Sequence, residues 1–78
     1  MDIVLYTRRG CHLCEAAEDL LSQVGVHVRL VDVDAVTALR DRYGLRVPVL
    51  ELDGQPIAEG RLREEDVRVR LRRVLTRD

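Results

Sequence analysis

The chain has 78 residues, a formal net charge of −1 and 46% hydrophobic residues, which allows one small domain with a modest core and excludes two. That charge balance excludes a general electrostatic pull toward nucleic acid or an anionic membrane, and no apolar run approaches the length of a bilayer span. Two cysteines are too few for the disulfide framework of a small secreted domain, and Met1 to Tyr6 is too short and too acidic for a secretory signal, so a cytoplasmic protein is expected.

With no Phe or Trp, the core must come from Val, Leu, Ile and Ala. Ile3 to Tyr6 is a continuous apolar run, as expected of a central strand buried on both faces. Thr7-Arg8-Arg9-Gly10 is a polar loop. The next segment carries Leu13, Ala17, Leu20, Leu21 and Val24 at helical spacing, with Glu15, Glu18 and Asp19 opposite, and Gly25 as its stop. Val26, Val28 and Leu30 alternate with His27 and Arg29, which predicts a half-exposed strand. Asp34 is expected to cap a second helix that turns Ala35, Val36, Leu39 and Tyr43 inward and ends at Gly44.

Val47 to Leu52 predicts a third strand, opened by a proline. Asp53-Gly54 is a hairpin signal, and Gln55 to Ala58 a fourth strand that Pro56 assigns to a sheet edge. A last helix follows Gly60, with Val67, Leu71, Val74 and Leu75 as its stripe, acids in its first turn and arginines in its last. The order is β-α-β-α-β-β-α, an α/β domain. The strand–helix–strand start makes the first two strands parallel, and the hairpin makes the last two antiparallel.

Cys11-His12-Leu13-Cys14 carries the chemistry. Two cysteines three apart at a helix start put one sulfur at the exposed first turn and the other a turn further in. Free backbone N–H groups there favour a thiolate at Cys11. The helix dipole supplies about 0.3–1 kcal/mol, less than one pKa unit. Hydrogen bonds and a neighbouring cation must add to it, and Arg8, Arg9 and His12 flank the site. As an imidazolium, His12 would favour the thiolate. The pair reads as a redox dithiol.

The segment from Tyr6 to Cys14, followed by Val47-Pro48 at the third strand and the hairpin, resembles the glutaredoxin-like proteins of the thioredoxin superfamily along essentially the whole chain. The resemblance implies a thioredoxin-like, glutaredoxin-type fold: a four-stranded mixed sheet with helices on both faces. It implies thiol–disulfide exchange, with Cys11 attacking, Cys14 resolving and Pro48 as a cis-proline beside them. Val47 would offer its backbone to bound glutathione or peptide. Arg8 would meet a glutathione carboxylate, and Gly60 would lie where the γ-glutamyl end docks. The implied partners are a disulfide-containing protein or glutathione and a thiol electron donor. The protein would act as a monomer with no tightly bound cofactor, glutathione serving as co-substrate. The chain departs from the family at Arg61, where glutaredoxins usually have a second glycine, and in its His-Leu dipeptide.

Other readings stand beside this one. Four ligands are usual for zinc, and only the two histidines could supplement the cysteine pair. A cluster shared between two chains through Cys11 is the iron–sulfur alternative. A glutathione-binding or partner-binding module without turnover is the other class. Pro48 could be an ordinary trans proline, and Arg8 and His12 plain surface residues. The seven arginines from Arg61 to Arg77 could suggest RNA, but they are read as a solvated helix face.

Overall fold

The computed structural model describes residues 1–75, with side chains through Arg73; the expected stripe residues Val74 and Leu75, and Arg77, lie outside the described side chains. The elements are β1 (Ile3–Thr7), α1 (His12–Gln23), β2 (Arg29–Asp32), a 3-10 helix (Val33–Ala35), α2 (Thr37–Tyr43), β3 (Val49–Leu52), β4 (Gln55–Glu59) and α3 (Glu64–Leu75). The expected order holds, with the 3-10 helix added. The sheet runs β2-β1-β3-β4. β1 pairs parallel with β2, and β1–β3 and β3–β4 pair antiparallel.

Helices cover both faces. On one, Ala17 and Leu21 of α1 and Val67 and Leu71 of α3 meet Leu5, Leu50 and Leu52 of the sheet. Leu5, Leu21 and Leu50 are fully buried, each worth about 1.5–3 kcal/mol relative to exposure. On the other face Tyr43 of α2 packs with Val33 and Val49, flanked by Tyr6 and Leu39. All four residues of β3 are buried, as a strand covered on both faces requires.

The local stop and turn signals act as read. Gly25 takes φ +78°; its N–H meets the Ser22 carbonyl and the Val26 N–H meets Leu21 at 2.9 Å, a Schellman closure of α1. Asp53 and Gly54 both have positive φ, the backbone of a two-residue hairpin. Pro56 lies on the edge strand β4.

Three expectations are corrected. β2 begins at Arg29, not Val26: Val26 and Val28 reach the core from the preceding loop, and Leu30 stands 52% exposed on the edge strand. Asp34 does not cap α2. Asp32 caps the 3-10 helix by accepting the Asp34 N–H, while α2 starts after extended Val36 with no side-chain cap. Ala35 and Val36 are therefore exposed, and Val33 takes the buried place. β3 begins at Val49, after the Val47–Pro48 peptide, which is cis. No helix among the described residues is long and apolar enough to cross a membrane.

Candidate active site

The pairing of Tyr6 with Val49 brings Pro48 to the end of the sheet where the loop from β1 to α1 leaves. Gly10, at φ +72°, turns that loop into α1, a backbone that glycine adopts without steric cost. Cys11 then occupies the position just before the helix, with extended φ −101° and ψ 107°. Its carbonyl accepts the Glu15 N–H at 3.1 Å and its sulfur accepts the Cys14 N–H at 3.2 Å. A sulfur thus does what a serine or aspartate oxygen does at most helix starts. The acceptor is aimed at free amide groups on the positive end of the helix dipole.

Cys14 lies one turn in and is 1% exposed. Both cysteines are free thiols, Cys11 partly exposed and Cys14 buried. Burial first, and then its hydrogen bond to Cys11, push the Cys14 thiol up to about 12, against a smaller opposing effect from the Arg8 backbone N–H. At neutral pH Cys14 is therefore a protonated thiol beneath an accessible sulfur. Since only a thiolate attacks, this order separates the two roles: Cys11 can reach a substrate, and Cys14 can reach Cys11.

The other residues singled out from the sequence are placed as follows. Pro48 is buried and follows a cis peptide, and its carbonyl accepts the Gly60 N–H at 2.9 Å. This bond sets Gly60 beside Pro48 and occupies the Gly60 N–H. Val47 was expected to leave both backbone groups open. Its N–H instead donates to the Tyr43 carbonyl at 3.0 Å, because the C-terminal turn of α2 runs directly into the proline loop. The Arg8 guanidinium donates to Asp34 at 2.9 Å and to the Gly44 carbonyl at 3.2 Å. It ties the β1–α1 loop to both ends of the 3-10/α2 segment. His12 has a 97% exposed side chain with Nδ1 3.8 Å from Glu15, so its ring is not packed on either sulfur.

The sequence reading missed Glu51. This carboxylate is 6% exposed in β3 and accepts hydrogen bonds from the Tyr6 hydroxyl at 3.2 Å and from the Tyr43 hydroxyl. The two rings lie 5.0 Å apart. Burial and the Glu51 carboxylate push both phenols up. A charge inside the apolar run Val49-Leu50-Glu51-Leu52, in a chain whose only aromatics are Tyr6 and Tyr43, was the available signal. Glu51 lies on the α2 face and anchors that helix; it does not line the dithiol. Among the described residues no group of three or more His, Cys, Asp or Glu side chains is arranged to hold a metal ion.

Residues 2–72 match the family model described as Glutaredoxin-like domain (DUF836). A Bacillus subtilis protein named N-acetyl-S-hydroxy-L-cysteine reductase is 35% identical over 57 residues, which cover 67% of this chain and 61% of that protein. The chain thus spans less than two thirds of that relative. An uncharacterised protein of Mycobacterium tuberculosis is 34% identical over 85% of this chain and 82% of its own length. Among solved structures, the X-ray structure of a structural-genomics target protein from X. campestris has 35% identity and a TM-score of 0.82, covering 90% of this chain and 95% of that one. The solution structure of glutaredoxin from Brucella melitensis, at 21% identity and TM-score 0.63, covers 97% and 86% and shares the fold.

Proposed function

This chain belongs to the glutaredoxin-like family and has its thioredoxin-like fold, and on that premise we propose that it is a thiol–disulfide oxidoreductase working through Cys11 and Cys14. The observation that carries the reading is the sulfur of Cys11 at the helix start, accepting the Cys14 amide, with the Cys14 thiol sealed beneath it. The Cys11 thiolate attacks one sulfur of a substrate disulfide, forming a mixed disulfide and releasing the other half as a thiolate that takes up a proton. Cys14 then gives its proton to solvent and attacks the Cys11 sulfur. The second half leaves as a thiol, and Cys11–Cys14 becomes a disulfide. Two electrons pass from the dithiol to the substrate, and an external thiol donor restores the dithiol.

The internal bonds of Arg8, Val47 and Gly60 bear on the substrate. Three groups that the resemblance assigns to glutathione are already engaged within the chain. They favour a substrate recognised by other contacts, a protein disulfide or a small thiol derivative. The name of the Bacillus relative favours a second substrate class, a small sulfenic acid. There Cys11 attacks the sulfenyl sulfur and expels hydroxide, which leaves as water after taking a proton. Cys14 resolves the mixed disulfide as before, and the products are a thiol, water and the protein disulfide.

The test is turnover of a protein mixed disulfide and of a small sulfenic acid. Each is assayed once with glutathione and its reductase and once with thioredoxin reductase. Cys11→Ser is expected to abolish every activity, by at least a thousandfold, and Cys14→Ser to keep single-thiol exchange with glutathione mixed disulfides. If the wild type reduces neither substrate with either donor, the binding-module reading replaces the enzyme.

A further inference from the structure

A groove of about 360 Å³ opens between β4 and the first half of α3. Its polar lining is Arg46, Glu59, Arg61, Arg63, Asp66 and Arg70. Arg46 is held by Glu59 through two hydrogen bonds of 2.8 and 2.9 Å and so spends its charge inside the chain. Arg61, Arg63 and Arg70 have no ion pair among the described residues, and they face one further carboxylate, Asp66. A chain of net charge −1 thus concentrates excess positive charge in one concavity, where low-dielectric walls focus the field.

The place of the groove gives that charge a use. Gly60 is bonded to the Pro48 carbonyl and Arg61 is the next residue; Arg46 lies two residues before Pro48. The groove therefore begins at the proline loop, at the sheet end that carries Cys11. Leu45, next to the lining residue Arg46 in the same loop, is 99% exposed and open to an apolar contact. Nothing aromatic lines the groove, so it lacks the stacking platforms on which single-stranded nucleic acid is held. An extended peptide needs none.

The geometry points to a docking groove for an acidic, extended segment of a partner protein, one whose reactive cysteine or disulfide lies next to that segment. This rests on the redox reading for its purpose but not for its binding. The acidic residues would pair with Arg61, Arg63 and Arg70, while the flanking apolar residue meets Leu45 and the sulfur reaches Cys11. Such pairing acts on association rate and on the choice of partner, so it discriminates among proteins without altering the chemistry at the dithiol. The arginines after Gly60, read from the sequence as a solvated helix face, are in this account a recognition surface.

The test uses the full chain and two fluorescein-labelled peptides lacking cysteine, one with four Asp or Glu residues around a leucine and one with serines in their place. Anisotropy at low ionic strength should show at least tenfold tighter binding of the acidic peptide. The preference should shrink as salt is raised and disappear in the Arg61→Gln/Arg63→Gln/Arg70→Gln variant, whose fold is checked by circular dichroism. As a second variant Arg70→Gln alone should weaken binding severalfold. Equal binding of the two peptides, or an unchanged preference in the triple variant, overturns the groove; so does a single-stranded RNA oligomer that binds more tightly than the acidic peptide. The same peptides carrying a cysteine disulfide report turnover separately. Acidic-peptide binding with no reduction of any disulfide would remove the redox reading and leave the groove standing.

Discussion

The dithiol turn and the Glu51 pocket are built from similar parts and behave as opposites. In each, one acceptor meets converging donors: the Cys11 sulfur receives the Cys14 amide and thiol, and the Glu51 carboxylate receives two phenols. Cys11 keeps part of its surface in solvent at a helix tip, whereas Glu51 is closed in between β3 and α2. Access decides what the hydrogen bonds accomplish. At the tip they hold a thiol that stays open to solvent, and in the interior they satisfy a charge that would otherwise be costly and fix the helix above it. Within the dithiol itself the same contrast recurs between Cys11 and Cys14.

The largest test of that contrast is chemical. At pH 8 and low iodoacetamide, Cys11 should be alkylated at least about a hundredfold faster than Cys14, since alkylation follows thiolate fraction and access. Peptide mass mapping after timed quenching reads the two rates, and equal rates would erase the distinction. The same burial has a stability consequence. The Cys14 thiol rises from 9.0 to about 12 on folding, so between those values the folded chain keeps a proton that the unfolded chain has lost. Stability should therefore fall as pH rises from about 9 toward 12. Tyr6 and Tyr43, both pushed above 10, act with the same sign. Urea midpoints measured from pH 8 to 11 should decline, and Cys14→Ala should flatten the curve.

At the Glu51 end, Tyr43→Phe removes one donor and leaves a buried carboxylate with a single partner. The expected loss is about 1–3 kcal/mol of stability, read by urea unfolding, with Cys11 alkylation unchanged within about twofold. Tyr6→Phe should cost less, because that hydroxyl sits at 3.2 Å and is only part-buried. A fall in Cys11 reactivity alongside the fall in stability would join the two regions that the structure keeps apart.

Which features the sequence disclosed follows from distance along the chain. The Cys11–Cys14 turn, the Gly25 stop and the Asp53-Gly54 hairpin each depend on residues within a few positions, so spacing and residue type suffice. Asp34 fits the local pattern of a cap, but its side chain pairs with Arg8, 26 residues away. Glu51 is satisfied by Tyr6 and Tyr43, 45 and 8 residues distant, and no local pattern pairs them. The loss of the Val47 N–H to Tyr43 arises only where the end of α2 meets the proline loop. Asp34 and Glu51 thus enter tertiary hydrogen bonds between residues that no local pattern joins, and the Val47 bond is a four-residue turn at the end of α2.

The smallest predicted effect concerns His12, the cation placed by sequence beside the Cys11 sulfur. Its side chain is 97% exposed and lies 3.8 Å from the Glu15 carboxylate. A charge so fully in water interacts weakly with its neighbours, and exposed pairs are worth roughly 0–1 kcal/mol. The adjacent Glu15 also offsets whatever charge the imidazole carries. His12→Ala should therefore change the rate of Cys11 alkylation by less than about threefold across pH 6–9, since a factor of ten needs about 1.4 kcal/mol. A tenfold fall confined to the pH range where histidine is protonated would mean that the ring turns to the sulfur, and that the exposed end of the dithiol is tuned by a side chain and not by the helix backbone alone.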